Sequence, residues 1–150
     1  MKTLIFGGTG LLGSAIVRQK KESICISSKD FDATDQTETR KWFHKNKDLV
    51  NKSVTYLCCG KVAGIEGQNN ELMLSENLKM LIFLIECLKN YQKEGTTIFY
   101  SSSCVYPKNL KIFNEDDFFK GELEPSNEGY AIAKLTIYKL IQYINKSLGR

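Results

Sequence analysis

A chain of 150 residues, 42% hydrophobic and 25% charged, has the size and composition of a single globular domain, 1–150, able to bury a core. The net charge of +4 comes from scattered lysines without a long basic block, which argues against nucleic-acid binding and suits a protein that holds phosphorylated ligands. The first apolar run, Leu4-Ile5-Phe6, is too short for a signal peptide, and no apolar segment approaches the roughly 18 residues of a membrane span. Five cysteines, an odd number without a CxxC pair, read as reduced and buried thiols of a cytoplasmic protein, and no metal site is assigned.

In chain order, residues 2–6 read as a short buried strand that enters a glycine turn. Residues 11–20 follow as a helix with Leu12, Ala15 and Ile16 on one face. Ser23 to Ile26 reads as a second strand. Residues 35–47 read as a helix with an acidic start and a basic end, as the helix dipole favours. Ser53 to Cys59 is a third strand, Ser75 to Tyr91 a long helix and Thr96 to Ser101 a fourth strand. Residues 105–127 are a polar loop holding both prolines, and 128–147 a last helix. Strands alternating with helices predict an α/β fold: a Rossmann-type, doubly wound parallel sheet between two helical layers.

The spacing Gly7-x-x-Gly10-x-x-Gly13 follows a strand and opens a helix. Gly7 and Gly10 allow a tight turn and close backbone approach to a pyrophosphate, and Gly13 lets helix and strand pack closely. The free amides of this turn and of the helix start, at Thr9, Leu11 and Leu12, face the negative charge. Cofactor choice falls at the end of the second strand, where an acid would hold a ribose 2′-hydroxyl. Ser27-Ser28-Lys29 stands there instead, so Ser28 and Lys29 predict a 2′-phosphate and NADPH; a solvated turn is the alternative. Asp35 reads as a helix cap, with an approach to adenine as the alternative.

Tyr130 and Lys134 share a helix face. The ammonium can lower the phenol pKa and bond a cofactor ribose, and the phenol can protonate a carbonyl oxygen as hydride reaches its carbon. Tyr100-Ser101-Ser102-Ser103-Cys104 ends the strand before that helix, where parallel sheets bind ligands. Its hydroxyls can bond the reacting carbonyl. The Cys104 thiol can move a proton at the neighbouring carbon, or it is a small packing residue. His44, the one histidine, reads as a surface residue.

Three segments carry a family resemblance: Lys61-Val62-Ala63-Gly64-Ile65, Ser102-Ser103-Cys104-Val105-Tyr106-Pro107, and Leu123 through Lys134. With the glycine turn, they resemble the extended short-chain dehydrogenase/reductases that modify nucleotide sugars, and among these the GDP-L-fucose synthases. The resemblance spans the chain but only the N-terminal half of such an enzyme, without the substrate domain. It implies epimerisation at two carbons flanking a 4-keto group of a GDP-linked 6-deoxy sugar, then reduction of the ketone by NADPH. It implies that Ser102 acts beside Tyr130 and Lys134, that Cys104 exchanges protons, and that Leu57, Cys58 and Gly60 line the cofactor. It also implies a homodimer through helices 75–91 and 128–147. The family's second proton carrier, a histidine, falls beyond this chain, and Gly67 to Ser75 is shorter than the family's segment. A dinucleotide-binding remnant without catalysis, or another nucleotide-sugar epimerase or dehydratase, are the alternatives.

Overall fold

The computed structural model describes residues 1–61 and 71–148. Val62 to Ile65, and Gly67 to Asn70 of the shortened segment, lie outside the described residues. Strands Thr3–Phe6 (β1), Ile24–Ile26 (β2), Val54–Leu57 (β3) and Thr96–Phe99 (β4) form one sheet in the order β2-β1-β3-β4, all parallel. Ile5 pairs with Cys25 on one side and Tyr56 on the other, and Tyr56 with Ile98. The helices are Leu11–Gln19 (α1), Gln36–Lys45 (α2), Lys47–Asn51 (α3), Leu72–Tyr91 (α4) and Glu128–Ser147 (α5). The chain steps outward from β1 to β2, then reverses to β3 and β4. This is the expected Rossmann-type topology, and its switch point lies between β1 and β3, directly above the glycine turn.

The fold gathers into two compact units, Met1–Gly60 with Lys79–Tyr100, and Lys61–Leu78 with Ser101–Arg150. In the first, Leu4, Ile5 and Phe6 of β1 are buried, as a strand covered on both faces must be. Phe6 stacks on Phe43 at 5.6 Å between ring centroids and meets Trp42 edge-on at 5.5 Å. Asp35 caps α2, its carboxylate accepting from the backbone N–H groups of Thr37 (2.7 Å) and Glu38 (2.9 Å). The expected helix over 35–47 breaks at Asn46. There the Asn46 side-chain amide donates to the Trp42 carbonyl at 2.8 Å, a local bond that competes with the helix ladder, and α3 starts afresh.

Below the glycine turn, at the amino ends of β3 and β4, Gln92 ties the sheet together from within. Its Nε2 donates to the Ser53 carbonyl and to Thr55 Oγ1, both at 3.0 Å, and its Oε1 accepts from Thr97 Oγ1 at 2.6 Å. A buried amide is tolerated because its polar atoms are bonded.

In the second unit, α4 begins at Leu72, one turn earlier than the sequence suggests, and α5 has the expected bounds. The loop after β4 is less polar in its packing than in its composition. Tyr106 stacks on Phe113 at 4.6 Å and touches Phe118, which meets Tyr138 of α5 edge-on at 5.2 Å. Lys108 Nζ and Glu122 Oε2 lie 2.7 Å apart, and the Lys108 N–H donates to the Glu122 carbonyl. Their hydrogen bond and charges hold the ammonium above, and the carboxyl below, the usual range. Gly129 opens α5 against α4: a Cβ there would lie 3.2 Å from the Leu74 nitrogen.

The expectation of buried thiols fails for most of the cysteines. Cys87 is buried, and desolvation pushes its thiol up to about 11. Cys25 is exposed on β2, the outer strand beside β1, and Cys58, Cys59 and Cys104, which follow the ends of β3 and β4, are half-buried.

Candidate functional site

The turn between β1 and α1 is made of close approaches. Gly7 has a φ of +79°, and a Cβ on it would come within 2.9 Å of Cys59 Cα. Its N–H donates to the Ile26 carbonyl at 2.9 Å and its own carbonyl accepts from Gly10 N–H at 3.0 Å. A Cβ on buried Gly13 would run into the Gly7 carbonyl oxygen. A Cβ on Gly10 would meet that oxygen only at an ordinary 3.4 Å. The protein's own packing therefore demands Gly7 and Gly13, while the space over Gly10 is left open.

Gly10 caps α1 without a side-chain bond, so the amides of Leu11, Leu12 and Gly13 head the helix with no intrahelical acceptor. Leu11 is 95% exposed and Leu12 41%, and Thr9 is exposed beside them. Leu12 is thus exposed, while Ala15 and Ile16 on the same face are half-buried. Open amides over a side-chain-free turn fit a pyrophosphate. Sequence reasoning missed Gly8, which is buried with no room for a Cβ against Cys25 Sγ; the Gly7-Gly8 doublet was its only signal.

After β2, Asp30 folds back on Ser27, accepting from its N–H at 2.8 Å and its Oγ at 3.2 Å. Asp32 accepts from the N–H of Thr34 at 2.9 Å and its Oγ1 at 2.7 Å. Both acids thus shape the turn. Ser28 and Lys29 are left on its exposed side. Leu57, which ends β3, is buried, and past it Cys58 is half-buried and Gly60 exposed.

In the second unit, Ser102 caps a short 3-10 turn, Ser103–Val105, its Oγ accepting from Cys104 N–H at 3.3 Å. That turn packs against α5. On α5, Lys134 is only 2% exposed, and its Nζ stands 5.5 Å from the centroid of the half-buried Tyr130 ring. The expected i, i+4 pair is therefore an inward-facing couple rather than a solvated helix face. His44 is exposed on α2, as expected.

The profile of the NAD dependent epimerase/dehydratase family matches residues 3–150. This chain belongs to that family. Among its relatives, the chain is 35% identical to the GDP-L-colitose synthase of Yersinia pseudotuberculosis over 97% of its own length and 48% of that protein's. It is 32% identical to the GDP-L-fucose synthase of Sinorhizobium fredii over 97% of its length and 47% of that enzyme's. The crystal structure of a GDP-L-fucose synthetase from Naegleria fowleri bound to NADP superposes with a TM-score of 0.77 at 26% identity, covering 97% of this chain and 48% of that one. The chain thus spans about half the length of these relatives. Among the described residues of this family member, no helix is long and apolar enough to cross a membrane.

Proposed function

We propose that this chain is the cofactor-binding half of an NADPH-dependent epimerase/reductase of a GDP-linked 4-keto-6-deoxy sugar, working in the cytoplasm. The observation that carries the reading is the buried Lys134 beside Tyr130, in a family whose members use a nicotinamide cofactor. The named relatives, GDP-L-colitose and GDP-L-fucose synthases, and the NADP-bound neighbour support the substrate class and the cofactor.

In this reading the amides of Thr9, Leu11 and Leu12, over Gly7, Gly10 and Gly13, hold the pyrophosphate. Ser28 and Lys29 hold the 2′-phosphate, and Leu57, Cys58 and Gly60 form a wall. Bound NADPH supplies hydride to the ketone carbon. Tyr130 gives its proton to the ketone oxygen, Ser102 bonds the same oxygen, and Lys134 keeps the phenol acidic and bonds the ribose. Cys104 takes a proton from the carbon next to the ketone. A homodimer through helices 75–91 and 128–147 belongs to the same reading. Leu81, Leu84, Ile85 and Leu88 are buried within the single chain, so the partner face narrows to half-buried Leu78, Ile82 and Phe83 and exposed Tyr143.

A second reading is a dinucleotide-binding module without catalysis, which rests on the glycine turn alone. One titration and one assay separate the readings. NADPH should bind more tightly than NADH, and Lys29→Ala should weaken NADPH selectively by about 1 kcal/mol. Equal or tighter NADH binding overturns the cofactor assignment. With NADPH and GDP-4-keto-6-deoxy-mannose, the 150-residue chain should bind cofactor with little turnover. Joined to the remaining half of a relative, it should reduce the sugar, and failure to do so favours the binding module. Light scattering at tens of micromolar tests the dimer, since association follows concentration.

A further inference from the structure

The proposed wall runs from Leu57, the last residue of β3, into the irregular backbone of Cys58 and Gly60, and this inference rests on that reading of the site. Lys61 comes next. Its side chain is exposed, yet its backbone N–H donates to Asn77 Oδ1 at 2.8 Å. Asn77 lies in α4 with no exposed surface, and its Nδ2 donates to the Met73 carbonyl one turn earlier at 2.6 Å. On α4 it lies among buried Met73, Met80 and Leu81. Asparagine is a mediocre helix former, and an amide is costly to bury without partners. A leucine would serve a helix core better. What asparagine adds is one oxygen, oriented by the bond from Nδ2 to Met73, that holds the chain just after it leaves β3.

We infer that Asn77 is a positioning residue of the dinucleotide site: by fixing the Lys61 amide it holds the Cys58–Gly60 backbone in one conformation for the bound dinucleotide. It touches no reacting atom and acts only through that backbone. In Asn77→Ala the Lys61 N–H loses its acceptor. In Asn77→Asp the carboxyl is isosteric. When protonated, its C=O can accept from Lys61 and its O–H can donate to Met73, so the variant should regain the parent's behaviour as pH falls.

The test measures NADP⁺ affinity and amide hydrogen exchange at Gly60 and Lys61, well below the unfolding temperature of each variant. Asn77→Ala should weaken NADP⁺ by about tenfold, as the loss of one buried hydrogen bond implies, and should speed exchange at Lys61. Asn77→Asp should weaken it at neutral pH and recover to within about twofold of the parent in acid, as protection of the Lys61 amide returns. If the parent binds NADP⁺ and Asn77→Ala binds it equally well, this inference alone is overturned. It is overturned too if Lys61 exchange is unchanged, or if Asn77→Asp stays weak at every pH. A parent that binds no dinucleotide overturns the reading of the site as well.

Discussion

The Lys134 ammonium stands 5.5 Å from the centroid of the Tyr130 ring and is almost entirely withdrawn from water. Burying a lysine is costly unless its charge is used. Lys134→Met keeps much of the volume and removes the charge. In the proposed site it should weaken NADPH by about 1–2 kcal/mol, the worth of a charge-assisted hydrogen bond. Tyr130→Phe should leave cofactor affinity within about threefold, a few tenths of a kcal/mol, because the phenol serves the substrate. Fluorescence titration of both variants checks the split.

Gly10 and Gly13 should respond oppositely to alanine. Gly13→Ala drives a Cβ into the Gly7 carbonyl and should destabilise the fold by about 1–3 kcal/mol or more, as overpacking does. Gly10→Ala meets only an ordinary contact, and Gly10 has φ −74°, which alanine accepts. Its stability should stay within about 0.5 kcal/mol of the parent, as at undemanding sites. Its methyl group enters the open space over the turn, so NADPH affinity should fall sharply. Urea denaturation and cofactor titration together separate the two effects.

Gln92→Leu removes the acceptor of Thr97 Oγ1 and one of two donors to the Ser53 carbonyl, which keeps the Thr96 N–H. A loss of about 1–3 kcal/mol is expected from the broken buried bonds and the hydroxyl left unpaired. Cofactor affinity should not change, because the network lies at the amino ends of the strands. Equilibrium unfolding reads the first effect and titration the second.

The thiols should react in an order set by their exposure. Cys25 is exposed and should label first, while Cys87, raised to about 11 by burial, should label only on unfolding. The sign of the linkage follows. A folded-state pKa raised above the ordinary 9.0 favours the folded protein below pH 9, and this contribution is lost as pH climbs towards 11. Cys87→Ala should flatten the stability profile over that window, measured against the parent by urea unfolding at each pH.

The order of elements and the glycine turn were legible because each is local. Gly7, Gly10 and Gly13 sit at one spacing, and hydrophobic period separates β1 and β3 from α4 and α5. The break at Asn46 was not legible, because one side-chain bond to Trp42 decides it. Composition hid the aromatic packing of Tyr106, Phe113 and Phe118 inside a polar segment. Asn77 fell inside the expected helix from Ser75 to Tyr91 with nothing local to single it out, because its partner lies 16 positions away in sequence. Periodicity put Leu12 on one face with Ala15 and Ile16, and it does not register that the first residues of a helix can stay open to solvent.

The strand order has a consequence for handling the protein. Among the described strands, β4 pairs with β3 on one side and with none on the other, and Ile98 on it is 37% exposed. An unpaired strand edge with an apolar side chain is a template for intermolecular pairing. At only four residues the edge is short, which limits how firmly a stray strand can dock, but it offers the first foothold for aggregation when the chain is concentrated.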